Sequence, residues 1–207
     1  MKRIRWFILG ILMTGMGSSL SAQQPLADDT TTIAEYKAQV GQLVSFLQFT
    51  LNTIGDPQTS AREKNIIINQ SYRKIFRDEK VQVEDDLAES RSTVTNKDVQ
   101  AYLKDIDFFF REVSFAFKVE EITHAINANG ELYFRARLSR HLEGVTVDGD
   151  TLNNNRPRFI ELNLNPETRV LKIVSVYTNK ISEKESLRSW WNELPYDWKQ
   201  LFAAELM

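Results

Sequence analysis

Two charged side chains interrupt an otherwise apolar strand face in the second half of the chain. From Val113 to Leu142, apolar and polar residues alternate in two runs, and the Asn129-Gly130 pair between them is typical of a two-residue β-hairpin turn. With that turn, Val119 lies opposite Arg140, which makes Glu121 a diagonal neighbour of Arg140 on the inner face of the hairpin. A carboxylate beside a guanidinium group has the chemistry to bind a polar ligand, and an isolated carboxylate there could act as a base.

The spacing leaves two interpretations of this pair open. Glu121 and Arg140 either line the mouth of a ligand pocket, or they form a structural ion pair at the sheet rim or are turned outward by a bulge. Tyr177 is predicted to reach the same opening, because a four-residue turn at Asn165–Thr168 places it on the same face as Ile160. Glu121, Arg140 and Tyr177 are therefore the predicted ligand-pocket residues, and no residue is predicted to be catalytic.

The residues available do not support other kinds of site. The chain has no cysteine, and its 2 histidines, His124 and His141, lie too far apart to bind one transition metal together. Asp148–Asn154 departs from a calcium-loop pattern, and the acidic clusters Glu84–Asp86 and Lys104–Asp107 are predicted to be solvated surface. No serine–histidine–acid set, phosphate-binding glycine loop or dinucleotide fingerprint occurs. We therefore predict no metal site and no cofactor.

The first 22 residues have the pattern of a secretory signal peptide. Lys2, Arg3 and Arg5 precede a short apolar run, which is followed by small residues and ends at Ala22. The run is too short for a membrane-spanning helix, and no cysteine follows it that could carry a lipid; a retained membrane anchor is the alternative. We predict cleavage after Ala22, export to the periplasm, the cell surface or the medium, and no stable membrane insertion afterwards.

The composition of the remaining chain suits one acidic domain without disulfides. The full chain has 26 basic and 28 acidic residues and a net charge of −2, and three of the basic residues belong to the leader. This balance argues against a nucleic-acid partner, which would require a basic surface. We divide the chain into a signal peptide (1–22), a linker (23–32), an α+β domain (33–180) and a Trp-rich helical tail (181–207).

Three helices are predicted before the hairpin strands. Apolar residues recur at three- and four-residue steps from Ile33 to Gly55, which ends the first helix, and Gly41 within it suggests close approach of another backbone. Ser60 is predicted to cap the second helix and Asn96 the third. A short strand is predicted between these two helices.

The order of the elements is three helices, a four-stranded antiparallel meander and a helical tail. Amphipathic helices and a one-sided sheet bury their apolar faces together. The predicted fold class is therefore α+β, with N-terminal helices packed on a curved four- to five-stranded antiparallel sheet. This order, over about residues 33–178, resembles the nuclear transport factor 2-like (NTF2-like) superfamily, with the cystatin-like fold as the alternative. The resemblance implies a conical sheet with a cavity beneath the helices.

All tryptophans other than Trp6 lie near the C-terminus. Aromatic residues and leucines recur there at helical spacing, and the predicted partner-docking residues are Leu187, Trp190, Trp191, Leu194, Trp198 and Phe202. This stripe packs either against the domain itself or against another protein or a downstream domain. Through Trp190–Leu194 and Trp198-Lys199, the segment resembles the lead-in to leucine-rich repeats or other modules in secreted bacterial multidomain proteins.

The function that fits these features is that of an exported, non-catalytic binding or accessory module for a small ligand or a partner protein. The alternative, implied by the NTF2-like resemblance, is a cofactor-independent isomerase or dehydratase with a conical pocket. Such an enzyme requires an enclosed cavity that contains an acid or a base. The cavity is therefore the feature that distinguishes the two hypotheses.

Overall fold

The computed structural model describes residues 30–87, 95–126 and 131–178 of the chain. The predicted signal peptide and the Trp-rich tail lie outside these residues. None of the described helices is both long enough and apolar enough to cross a membrane.

The helices form where the apolar spacing predicts them. Their bounds are α1 Thr30–Gly55, α2 Ala61–Asn69, a 3₁₀ helix Ser71–Lys74 and α3 Val99–Phe109. Helix α1 buries the apolar face that runs from Ile33 to Ile54, and it ends at Gly55 as predicted. Ser60 caps α2, because its hydroxyl accepts a hydrogen bond from the Glu63 amide at 3.3 Å.

Six strands form one sheet in the described part of the chain. Their bounds are β1 Gln82–Glu84, β2 Asn96–Asp98, β3 Phe110–Ile126, β4 Leu132–Thr146, β5 Thr151–Leu164 and β6 Leu171–Tyr177. The order across the sheet is β2-β1-β6-β5-β4-β3, and every neighbouring pair is antiparallel except β1 with β6. The four long strands are the predicted meander, and the short strands β1 and β2 extend it at one edge.

The predicted start of the third helix is wrong. Asn96 is the first residue of β2 rather than a helix cap, and α3 begins at Val99. Asn96 pairs with Glu84 of β1, so hydrogen bonding within the sheet outweighs the local capping signal.

The first hairpin has a different register from the one predicted. Val119 pairs with Leu138 rather than with Arg140, because the connection between β3 and β4 is longer than a two-residue turn and because β3 has a bulge between Val119 and that connection. A bulge between Val119 and Glu121 then shifts the pairing by one residue, so that Glu121 pairs with Arg137. Side chains of β3 beyond the bulge therefore lie on the opposite face from the one predicted.

The second hairpin is also shifted. The predicted four-residue turn places Ile160 opposite Ile173, but Ile173 pairs with Leu162 in the structure. The turn runs from Asn165 to Val170 and is closed by a 3.0 Å hydrogen bond from the Asn165 amide to the Val170 carbonyl. The longer turn therefore displaces β6 along β5 without changing which face these isoleucines occupy.

One apolar core lies between the helices and a single face of the sheet. It is built from alternate residues of the long strands and from one face each of α1 and α3. Tyr36 of α1 reaches Phe134 of β4, and their ring centroids are 6.0 Å apart. The prediction of amphipathic helices packed on one face of the sheet is therefore confirmed.

Helix α1 also covers part of the open edge of the sheet. Strand β3 is the last in the order, so the backbone groups on its outer side have no neighbouring strand among residues 30–87, 95–126 and 131–178. The Asn52 amide donates to the Phe115 carbonyl at 3.0 Å, and the Phe115 amide donates to the Asn52 side-chain oxygen at 2.7 Å. The Phe117 amide donates to the Gln48 side-chain oxygen at 2.6 Å. These two side chains, one helical turn apart, take the place of a further strand.

Gly55, and not Gly41, is the glycine of α1 that must lack a side chain. A Cβ atom on Gly55 would lie 2.1 Å from the carbonyl oxygen of Val113, whereas a Cβ atom on Gly41 would meet nothing within 4 Å. The predicted close approach at Gly41 is therefore wrong. The backbone that α1 approaches is that of β3, and it does so at the C-terminal end of the helix.

Candidate functional site

Four side chains from different parts of the chain meet inside the core. Arg140 comes from β4 and Arg158 from β5, where each follows the core-facing alternation of its strand. Asp86 follows β1, and Tyr102 lies on the buried face of α3. The exposed fractions are 0% for Arg140, 3% for Arg158, 2% for Asp86 and 4% for Tyr102. We call these four residues the arginine cluster.

Asp86 is the centre of the arginine cluster. One of its carboxylate oxygens lies 3.0 Å from Arg140 Nε, and the other accepts hydrogen bonds from Arg158 Nη2 and, at 3.3 Å, from the Tyr102 hydroxyl. Arg158 also donates to the Tyr102 oxygen at 3.1 Å and to the Glu84 carbonyl at 2.9 Å. One carboxylate therefore holds two guanidinium groups and a phenol.

Arg140 is the less satisfied of the two arginines. Its Nη2 donates to Asn154 Oδ1 at 2.9 Å. Its Nε forms no hydrogen bond with the Asp86 oxygen, although the two atoms lie 3.0 Å apart. Its Nη1 has no hydrogen-bond partner among the residues that the structure describes. Arg140 and Asp86 therefore attract each other as an ion pair rather than through a well-aligned hydrogen bond.

Burial and neighbouring charges shift the pKa values within the arginine cluster. Burial lowers the pKa of Arg140 against the attraction of Asp86, and the nearby charge of Arg158 lowers it further. Burial acts in the same direction on Arg158, but attraction to Asp86, Tyr102 and Glu84 outweighs it and raises the pKa of that guanidinium group. Burial, together with the Asp86 charge, raises the pKa of Tyr102. This phenol therefore stays protonated at neutral pH.

A small cavity lies beside the arginine cluster in the described core. Its volume is about 20 Å³, which is room for roughly one water molecule. Its wall is mostly apolar and includes Leu51, Phe117 and Leu138, and its ionisable residues are Tyr102 and Arg158. The cavity implied by the NTF2-like resemblance is therefore too small here for a substrate-sized molecule.

Glu121 does not reach the arginine cluster, so its predicted pairing with Arg140 is wrong. The bulge in β3 turns Glu121 to the outer face of the sheet, where its carboxylate lies 3.9 Å from Arg137 Nε. Glu120 lies closer to the same nitrogen, at 3.2 Å. Of the predicted pair, only Arg140 faces the core.

Tyr177 also lies on the outer face of the sheet, away from Arg140. A register shift between Glu161 and Leu162 places an extra residue in β6, which turns Tyr177 away from the core. Its hydroxyl donates to Glu161 at 3.0 Å, and its ring stacks on Phe159 with the centroids 5.5 Å apart. Burial and the Glu161 charge raise the pKa of Tyr177. The prediction that Tyr177 shares an opening with Arg140 is therefore wrong.

The acidic stretch Glu84–Asp86 is buried, so its prediction as solvated surface is also wrong. The Glu84 carboxylate accepts a hydrogen bond from the Thr178 amide at 2.6 Å, and Asp85 lies 2.7 Å from Lys97 Nζ. The third carboxylate is the one in the arginine cluster. Each acid is therefore paired with a group from a distant part of the chain, as buried carboxylates must be.

The histidines lie in separate environments on the sheet. The ring of His124 lies 6.1 Å from that of Phe134, and His141 Nδ1 lies 3.1 Å from Asn155 Oδ1. Over residues 30–87, 95–126 and 131–178, no group of three or more histidine, aspartate or glutamate side chains is placed to hold a metal ion.

A second concavity opens on the outer surface between α1 and the turn from β5 to β6. It has a volume of about 520 Å³, and its lining residues are Gln39, Gln42, Leu43, Phe46, Lys74, Val170 and Leu171. Phe46 is 38% exposed and Val170 is 45% exposed, so apolar surface faces water there. We call this concavity the α1 groove.

The predicted docking residues, from Leu187 to Phe202, lie outside the described part of the chain.

No protein-family model matches the chain, and comparison with curated proteins finds no match. Among solved structures, an NTF2-like superfamily protein from Salmonella enterica serovar Typhimurium is 14% identical, with 74% of this chain and 98% of that chain covered and a TM-score of 0.46. An uncharacterised protein with a cystatin-like fold from Caulobacter vibrioides is 11% identical, with 77% and 99% covered and a TM-score of 0.44. Aln2 from a Streptomyces species is 11% identical, with 75% and 96% covered and a TM-score of 0.42. The layout of helices on one face of the sheet, described above, confirms the α+β arrangement predicted from the order of the elements.

Proposed function

We propose that this protein is an exported, non-catalytic binding or accessory module that acts through its outer surface rather than through an enclosed pocket. The observation that carries the proposal is the small volume of the cavity in the described core. The cavity beside the arginine cluster holds about 20 Å³, whereas ligand pockets hold roughly 300–1,000 Å³. A substrate-sized molecule would have to displace core side chains to enter.

The arginine cluster supports this proposal because its charged groups already form ion pairs with one another. Asp86 is already engaged by Arg140, Arg158 and Tyr102. The pKa values of Tyr102 and Arg158, the ionisable residues of the cavity wall, are both raised, so both residues keep their protons at neutral pH. An isomerase or dehydratase needs a base beside its substrate, and this wall supplies none.

A small ligand or a partner protein would therefore bind on the outside of the domain. The α1 groove has the volume of a ligand pocket, about 520 Å³. The Trp-rich tail supplies the aromatic residues that dominate protein interfaces, which makes it the candidate link to a partner protein or a downstream domain. The leader pattern supports export as the route to that partner.

Benzene binding tests whether the interior is filled. We expect no saturable binding of benzene to the wild-type mature protein, because the cavity has no room for it. We expect Leu138→Ala to bind benzene, since this substitution removes part of the apolar cavity wall. The measurement is an NMR titration that follows the Tyr102 ring signals. Val170→Ala is the matched control, because it shortens an exposed aliphatic side chain that does not line the cavity.

Saturable binding of benzene by the wild-type protein, with shifts of the Tyr102 signals, would contradict the proposal. Such a result would show that the interior already opens to a ligand, as an enzyme of the isomerase or dehydratase kind requires.

A further inference from the structure

We propose that the Trp-rich segment of the same chain, from Leu187 to Phe202, docks into the α1 groove and places its leucine and tryptophan stripe against α1 and the β5–β6 turn. The proposal goes beyond the function proposed above, because it gives the α1 groove an occupant from the same chain. A ligand or a partner protein would then bind in the groove, or to the segment, only in exchange for this internal contact.

The α1 groove has the chemistry to accept such a stripe. Its floor and walls include Leu43, Phe46, Val170 and Leu171. Phe49 extends the apolar surface along the helix, because its ring stacks on that of Phe46 with the centroids 6.4 Å apart. Exposed apolar surface gathered in one concavity favours an apolar occupant over water.

The rim of the groove suits tryptophan in particular. A buried indole N–H requires a hydrogen-bond acceptor, and Gln39 and Gln42, whose side chains carry amide oxygens, are among the residues that line the groove. Lys74 also lines the groove, and its ammonium group can be attracted to the face of an indole ring. Amide acceptors and a cation around an apolar floor thus fit tryptophan better than they fit a purely aliphatic segment.

The Trp-rich segment carries its apolar residues at matching intervals. Leu187, Trp191, Leu194 and Trp198 follow one another at steps of four, three and four, which places them on one face of a helix. Each buried aromatic side chain of this size removes about 150–250 Å² of surface from water. A groove beside a long helix is a surface of the kind into which an amphipathic helix packs.

The chain between the end of β6 and this segment is long enough to reach the groove. The groove lies at the Leu171 end of β6, and the strand leads away from it to Tyr177, a distance of roughly 20 Å. Residues 178–186 can span up to about 30 Å when extended. A covalently attached segment also has an effective concentration on the order of millimolar, which favours it over a second copy or a foreign protein.

Tryptophan fluorescence of the mature chain, from Gln23 to Met207, tests the proposal directly. Its tryptophans are Trp190, Trp191 and Trp198, because Trp6 is absent from that chain. The emission therefore reports on the docking segment alone. We expect the wild-type emission to lie at shorter wavelength than that of tryptophan in water, and to be protected from quenching by acrylamide.

Charged substitutions in the groove should release the segment. Phe46→Asp and, separately, Val170→Asp are each expected to weaken docking by about tenfold or more. The emission then moves to longer wavelength and quenching by acrylamide increases. Phe108→Asp is the matched control, because Phe108 is 72% exposed and does not line the groove. The control should leave the emission unchanged.

Three outcomes would overturn the proposal. The first is wild-type emission at the wavelength of tryptophan in water, and the second is blue-shifted emission that neither groove variant changes. The third is a blue shift that disappears on dilution, which would make the occupant the tail of a second copy.

Circular dichroism must show folded protein for each variant. Val170 is the safeguard here, because it lies in an exposed turn where a charge is tolerated even if Phe46→Asp does not fold.

Discussion

Asp86 is the carboxylate that Arg140 and Arg158 share in the core. Removing its charge would leave two guanidinium groups beside each other without the anion between them. Exchanging a whole buried ionic group for apolar residues is often neutral, whereas removing a single partner is costly. The stability of the arginine cluster therefore depends on this one residue more than on either arginine.

The substitution Asp86→Asn is expected to lower the free energy of unfolding by about 3–5 kcal/mol, because it keeps the size of the side chain and removes only the charge. The matched control is Glu121→Gln on the outer face, which should change the free energy by less than about 0.5 kcal/mol. Urea unfolding of both variants measures the difference. Equal effects would mean that water reaches the arginine cluster and screens its charges.

At the residue scale, the sequence predicts one member of the arginine cluster and not the others. Alternation alone places Arg140 on the core face, and Arg158 carries the same signal because it stands two residues before the buried Ile160. Asp86 and Tyr102 have no such signal. They join the cluster because β1 pairs with β6 and α3 packs beside it, and no local pattern reports those contacts.

Helix α1 and strand β3 approach each other most closely at Gly55, where the carbonyl oxygen of Val113 would clash with any side chain. A backbone oxygen in a strand cannot move aside as the end of a flexible side chain can. The contact with β3 therefore requires a glycine at position 55, whereas position 41 of the same helix has room for a side chain.

We predict opposite effects for the two glycine-to-alanine substitutions in α1. Gly55→Ala should destabilise the protein by about 3 kcal/mol, because the added methyl group overpacks the contact with β3. Gly41→Ala should stabilise it by about 0.5–1 kcal/mol, because alanine is the better helix former and the added group meets nothing. Thermal unfolding of the two variants compares them directly, and a stabilising Gly55→Ala would contradict the close approach.

At the element scale, periodicity predicts which segments are helices and strands but not how the strands are paired. The change from a helical period to alternation correctly separates α3 from β3. The bulge after Val119 has no compositional signal, yet it moves Glu121 to the opposite face. Turn length has a different effect on β6, since a turn longer than the predicted one changes every pairing after it but keeps Ile173 on the core face.

For the whole molecule, the α+β class and the packing of helices on one face of the sheet follow from the amphipathic patterns. Strand β1 is the short strand predicted between the second and third helices, whereas β2 escapes prediction because it is only three residues long and cannot show a period. The filled interior cannot be predicted either. The size of a cavity depends on the fit of side chains from every element at once, which no single segment reveals.

Export is a property of the whole chain that a single measurement can test. Expressed with its leader in a bacterium that has an outer membrane, the protein is expected in the periplasmic fraction with Gln23 as its first residue. Intact-mass spectrometry of that fraction identifies the cleavage point. A variant with Lys2, Arg3 and Arg5 changed to Asn should accumulate with its leader attached. A wild-type chain that keeps its leader would instead support the retained membrane anchor.

The two amide side chains of α1 also affect how molecules of this protein meet one another. Asn52 and Gln48 occupy the backbone groups of β3 to which a strand from another molecule would add. Growth of the sheet from molecule to molecule is therefore blocked along that part of β3 for as long as α1 stays in place. A molecule that has released α1 exposes the edge of its sheet and its apolar core together. At this edge of the sheet, resistance to the addition of a foreign strand therefore lasts as long as the helix stays in contact with β3.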